Sequence, residues 1–120
     1  MNYLWTTINV DDLEAMVAFY RDVVGLEVVS ELHNPDGTNI AFMGNGETQV
    51  ELIQHGDGSY EEIGKGISLG FEVADVNQKM EEVKAKGFPV VAGPFSPVPT
   101  IIFFYVEDPM GVRVQFVEHR

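Results

Sequence analysis

The chain has 120 residues, 45% of them hydrophobic, enough for one domain with a core of its own. It carries 19 Asp and Glu against 7 Lys and Arg, a net charge of −12 with no basic patch, which argues against nucleic-acid and anionic-membrane partners. The absence of Cys excludes disulfides, thiolate nucleophiles and Cys-ligated metal centres.

Leu4 to Val10 alternates, with Leu4, Thr6, Ile8 and Val10 on one face and Trp5, Thr7 and Asn9 on the other, which predicts a strand. Asp11, with Glu14 three residues on, predicts a capping box and a helix whose apolar stripe is Leu13, Val17, Tyr20 and Val24, joined by Met16 and Val23. Gly25 ends it. Strands are expected over Leu26–Leu32, Asn39–Met43 and Thr48–Gln54, with turns at Asn34-Pro35-Asp36-Gly37 and Gly44-Asn45-Gly46. In the last strand Val50 and Leu52 oppose Gln49, Glu51 and Ile53.

A polar, glycine-rich stretch follows, and then the order restarts. Ile67, Leu69, Phe71 and Val73 alternate with Ser68, Gly70 and Glu72; Asp75 caps a second helix, with Gln78 three residues later; Gly87 closes it. Phe88–Val91 reads as a short strand, Pro94–Pro99 as a loop that could close as a lid, and Thr100–Val106 and Val112–Glu118 as strands around an Asp108-Pro109-Met110-Gly111 turn. Parity places either Phe104 or the Phe103–Tyr105 pair on the mixed face, without choosing between them.

The halves superpose at an offset of about 63 residues, with Val10 on Val73, Gly25 near Gly87 and TQVELIQH on VRVQFVEH. The expected fold is therefore α+β: two tandem βαβββ modules, about 1–56 and 66–120, joined by a linker at 57–65. Each strand has one apolar and one mixed face, so a helix covers one side of each sheet. The mixed faces are expected to curve around a cleft, with the helices outside.

Three segments, TTINVDDLEAMVAFYRDVVGLEVV, VELIQHG and FFYVEDPMGVRVQFVE, resemble the vicinal oxygen chelate superfamily, which groups glyoxalase I, bleomycin-resistance and fosfomycin-resistance proteins and extradiol dioxygenases. The resemblance implies paired βαββ(β) modules, a homodimer, and a site in the cleft of a curved sheet. In metal-using members four cleft positions carry ligands. Carried over, they are Trp5, Glu51, Ser68 and Gln115. Only Glu51 among them is a good ligand for a divalent ion; an indole N–H is a donor only. No resident cofactor and no metal are expected, a divalent ion at Glu51 and Gln115 being the alternative.

The expected ligand-binding residues are Trp5, Thr7, Gln49, Glu51, Ser68, Arg113 and Gln115, with Glu51 as the candidate general acid–base beside the Trp5 indole. Arg113 could pair with Glu51 or Glu72, or meet a ligand carboxylate. His33, His55 and His119 form no close ligand motif and are expected at the surface. The opening MNYLWTTINVDDLE has no basic, apolar signal pattern, so a cytoplasmic location is expected, and the resemblance implies a homodimer of the bleomycin-resistance-like kind. It would bind a small planar or cationic molecule in an acidic, aromatic cleft without the usual metal. The alternatives are a metal-dependent lactoylglutathione-lyase-like enzyme and a regulatory or structural module with a filled cleft.

Overall fold

The computed structural model describes residues 1–120, which divide into two compact units, Met1–Ile63 and Gly64–Arg120. Each unit is a four-stranded mixed sheet with a helix on one face. In unit 1 the strands are β1 (Trp5–Asn9), β2 (Val28–His33), β3 (Asn39–Met43) and β4 (Gln49–Gln54), in the order β1-β4-β3-β2. In unit 2 they are β5 (Ser68–Glu72), β6 (Ala92–Val98), β7 (Ile101–Glu107) and β8 (Arg113–His119), in the order β5-β8-β7-β6. The one parallel pair of each sheet joins its first strand to its last, β1 to β4 and β5 to β8. The repeat in the sequence is thus a repeat of topology. No helix is long and apolar enough to cross a membrane.

Helix α1 (Leu13–Ala18) is capped by Asp12, whose backbone is extended and whose carboxylate accepts the Ala15 N–H at 3.1 Å. The cap is therefore Asp12 and not Asp11, and with Ala15 at the third helical position the expected Asp11–Glu14 capping box does not form. The register is fixed from the sheet: Gln54 at the end of β4 accepts the Leu13 N–H through Oε1 at 2.9 Å. Unit 2 repeats the device. Asp75 caps α2 (Val76–Ala85) by accepting the Gln78 N–H, and Glu118 of β8 accepts the Val76 N–H at 2.8 Å. A strand side chain thus satisfies a helix N-terminal donor that has no partner within the helix.

The stripe expected on α1 also shifts. From Phe19 to Val24 the helix widens to π geometry, and the Gly25 N–H reaches back five residues to the Tyr20 carbonyl at 3.1 Å. A 3.6-residue count no longer applies there. The buried side chains are Met16, Phe19, Tyr20 and Val23, while Leu13, Val17 and Val24 remain partly exposed. Gly25 and Gly87 close the two helices at φ +93° and +88°, a backbone region that glycine enters without steric cost.

Each core lies between helix and sheet. In unit 1 Ile8, Val10, Ala41, Met43, Val50 and Leu52 are buried with the α1 residues; in unit 2 Phe104, Val106, Val112, Val114 and Phe116 are buried with Val76 and Val83. Phe104 packs on Phe116 with ring centroids 5.4 Å apart, which settles the parity of β7: Phe104 faces the core, and Phe103 and Tyr105 face the other side.

The segment expected as a proline-rich loop, 94–99, lies largely within β6, and the strand expected at Phe88–Val91 lies outside it. Strand β6 is an edge strand paired only to β7, and its register shifts between Ala92, Phe95 and Val98. An irregular edge tolerates the missing N–H groups of Pro94 and Pro97. The segment is held in a sheet, so the lid expectation does not stand.

Candidate functional site

The face of each sheet turned from its helix carries the polar and aromatic residues. In unit 1 the register sets Trp5 beside Gln49 and Thr7 beside Glu51, with Phe42 of β3 on the other side of Glu51. Trp5 is 42% exposed and meets Phe42 edge-on, centroids 5.2 Å apart at 70°. The Thr7 hydroxyl donates to Glu51 Oε1, and the Gln49 amide donates to the Gly44 carbonyl at 3.0 Å. Glu51 is half-buried. The four unit-1 residues expected from sequence therefore share one face. Gln49 braces a loop, and Trp5 offers open ring surface. Phe42 was missed, although its alternation in β3 put it on the Glu51 side.

In unit 2 Ser68 lies beside Arg113, and Gly70 beside Gln115. Across β7 the opposite neighbour of Gln115 is Tyr105, and that of Arg113 is Glu107. The Gln115 amide donates to the Tyr105 hydroxyl at 3.2 Å. The Arg113 guanidinium stands over the Tyr105 ring, 5.8 Å from its centroid. Arg113 does not pair with Glu72, which instead meets His119 at 3.0 Å. From Tyr105 an aromatic run continues outward: Phe103 at 5.8 Å and 86°, then Phe95 at 5.8 Å and 55° from Phe103. Phe95, Ser96, Pro97, Phe103 and Tyr105 line a hollow of about 480 Å³. Phe95 was invisible to sequence reasoning because its strand read as a loop.

The histidines are placed by the repeat. Asn9 and His55 are bonded at 2.9 Å in unit 1, and Glu72 and His119 occupy the matching positions in unit 2. His33 is bonded to Asn39. His33 and His119 are exposed, as expected, whereas His55 is partly buried.

A larger hollow, about 730 Å³, lies on the helix side of unit 1, between α1 and β2. Several of its polar groups are engaged within the protein: Gln54 with Leu13, His33 with Asn39, Arg21 with Asp22. It has no Phe, Tyr or Trp in its lining, so the aromatic sheet faces are the better candidates for a planar ligand.

The metal-ligand positions can be tested on their chemistry. Trp5 offers a donor only, Ser68 a neutral hydroxyl, and Gln115 an amide whose nitrogen is committed to Tyr105. Glu51 is the single anion, and one of its oxygens accepts the Thr7 hydroxyl. No group of three or more His, Asp or Glu side chains is placed to hold an ion. These residues do not fit a site built from two imidazoles and two carboxylates.

Two βαβββ units of one topology, each with a polar, aromatic sheet face opposite its helix, define a tandem-module protein of the glyoxalase kind. The chain belongs to the Glyoxalase/Bleomycin resistance protein/Dioxygenase superfamily, whose family model matches residues 2–116. A lactoylglutathione lyase of Neisseria meningitidis is 33% identical over 128 aligned residues, covering 100% of this chain and 92% of the relative. Among solved structures, the glyoxalase I of Leishmania major superposes with a TM-score of 0.83 at 24% identity, over 98% of this chain and 86% of that one. An antibiotic binding protein from Streptomyces superposes with a TM-score of 0.78 at 18% identity, over 100% and 97%. Both structural likenesses concern the fold.

Proposed function

We propose that this protein binds a small planar molecule against its aromatic sheet faces and does so without a resident metal. The observation that carries the reading is the hollow of about 480 Å³ walled by Phe95, Phe103 and Tyr105, rings set edge-to-face or tilted so that open surface remains. Trp5 over Phe42 supplies a comparable surface in unit 1. Planar ligands stack on such walls, and the polar groups beside them set orientation. The open hollow also speaks against a structural module whose ligand face is filled by its own side chains.

A second reading, a lactoylglutathione-lyase-like enzyme, is favoured by the 33% identity to the Neisseria protein along the whole chain. It would require a divalent ion held by an unusual set, Glu51 and Gln115, with Glu51 as the acid–base group. The donor chemistry described above favours the first reading. A homodimer in the cytoplasm belongs to the same proposal, and sedimentation of the purified protein reads its oligomeric part.

Calorimetric titration of a panel of planar aromatic compounds into chelator-dialysed protein separates the readings. Saturable binding that is lost in Phe103→Ala supports a metal-free binder. Binding that returns only with added Zn²⁺ or Ni²⁺ supports the enzyme.

A further inference from the structure

Arg113, on the sheet face of unit 2, carries a buried donor that the protein leaves unbonded. Its Nε is buried and has no hydrogen-bond partner. The ion pairs of the unit are Lys79–Glu82, Lys84–Glu81, His119–Glu72 and Arg120–Glu118, and Arg113 belongs to none of them. Glu107 opposes it on β7 and Ser68 flanks it on β5, yet neither is bonded to it. Its recorded partner is the face of the Tyr105 ring. A buried guanidinium N–H without an acceptor costs free energy, and native structures rarely retain one without a use. Arg113 as a whole is only half-buried.

Tyr105 joins this cation to the aromatic hollow, because the same ring stands under Arg113 and forms part of the wall with Phe103. Gln115 holds the Tyr105 hydroxyl from the side. A cation outside every ion pair of the unit thus stands against Tyr105, a ring that lines the aromatic hollow. A guanidinium that none of the carboxylates pairs with, not even the opposed Glu107, is suited to a negative charge brought from outside. Guanidinium matches carboxylate with two parallel N–H···O bonds, a geometry that an amide cannot reproduce.

We infer that Arg113 is the anion-recognition residue of this face and that the ligand is a planar aromatic carboxylate, its ring against Phe103 and Tyr105 and its carboxylate on the guanidinium. The inference rests on the proposed planar-ligand reading and adds the charge of the ligand to it.

The test compares 2-naphthoate with its neutral counterpart 2-naphthamide by calorimetry, using the whole chain. Wild-type protein is expected to bind the carboxylate roughly tenfold more tightly, the worth of one charge-assisted pair. Arg113→Gln is expected to bind both probes alike, at the affinity of the amide, and Arg113→Lys to keep part of the preference. Should Arg113→Gln fold poorly, the wild-type guanidinium N–H resonances of Arg113 give the answer by themselves: saturating 2-naphthoate is expected to move them downfield, as an ionic hydrogen bond does, well beyond the ring-current shift that 2-naphthamide produces, and equal shifts with both probes would overturn the anion site. Equal affinities in the wild type, or a preference that survives in folded Arg113→Gln, would overturn the anion site and leave the planar-ligand reading intact. If neither probe binds up to millimolar concentration, both readings fall.

Discussion

The Gln115 side-chain amide donates to the Tyr105 hydroxyl at 3.2 Å, across the β7–β8 ladder where the two residues are directly opposed. The bond commits the nitrogen of the one amide at a metal-ligand position, and it orients the ring that carries both Arg113 and the Phe103 contact. A position expected from the family resemblance to face a metal is here bonded to a ring of the aromatic wall.

Trp5 is the only tryptophan of the chain, so its emission reports on unit 1 without interference. Trp5→Ala is expected to weaken a planar ligand that touches this face by about tenfold, the scale of one lost aromatic contact. Its stability should change little, since the side chain is 42% exposed. Ligand titrations and thermal melts of the variant check the two halves of the statement.

The strand-to-helix caps are expected to count equally in the two units. Gln54→Ala and Glu118→Ala each leave a helix N-terminal N–H without its partner. Each should cost about 1 kcal/mol. The two sites share no partner, so the double variant should lose close to the sum in denaturant unfolding.

Parity in β7 gives a sharper contrast. Phe104 is fully buried against Phe116, and Phe104→Ala should cost about 3–5 kcal/mol. Phe103 is only half-buried, so Phe103→Ala should destabilise far less while removing the wall of the hollow. The pair is read by chemical denaturation beside ligand titration.

Asp57 supplies the pH dependence that the structure predicts. The Ser59 hydroxyl donates to its carboxylate at 2.7 Å and the Ser59 N–H at 2.9 Å, and these bonds hold the carboxyl below the usual aspartate range. A lowered native pKa means stability that is present above the unfolded value and lost as pH falls through the native one. Carboxyl NMR titration should find Asp57 titrating below an ordinary aspartate, and Ser59→Ala, which keeps the backbone N–H bond, should return it part of the way.

The sheets were legible because alternation is a local signal. Val50 and Leu52 are buried, Gln49 and Glu51 are turned from them, and the repeat carried the same pattern to Val114 and Phe116. Departures came where tertiary context overrides local pattern. The neighbouring Asp11 and Asp12 are equally able to cap a helix, and Gln54, 41 residues along the chain, decides between them. The π-helical turn after Ala18 is invisible to a 3.6-residue count, which is why Phe19 was passed over. Pro94 and Pro97 read as a loop because an edge position cannot be told from sequence, and that hid Phe95. At the site, parity placed Trp5, Thr7, Gln49 and Glu51 together, but the free valence of Arg113 depends on where its neighbours' carboxylates lie.

The proposed metal-free binding is tested most directly by titrating Zn²⁺ and Ni²⁺ into chelator-dialysed protein while following lactoylglutathione-lyase activity and planar-ligand affinity together. The account predicts no stoichiometric metal uptake, no activity appearing with either ion, and a ligand affinity that metal leaves unchanged. One ion bound per chain, with activity rising in proportion and abolished by Glu51→Gln, would contradict it.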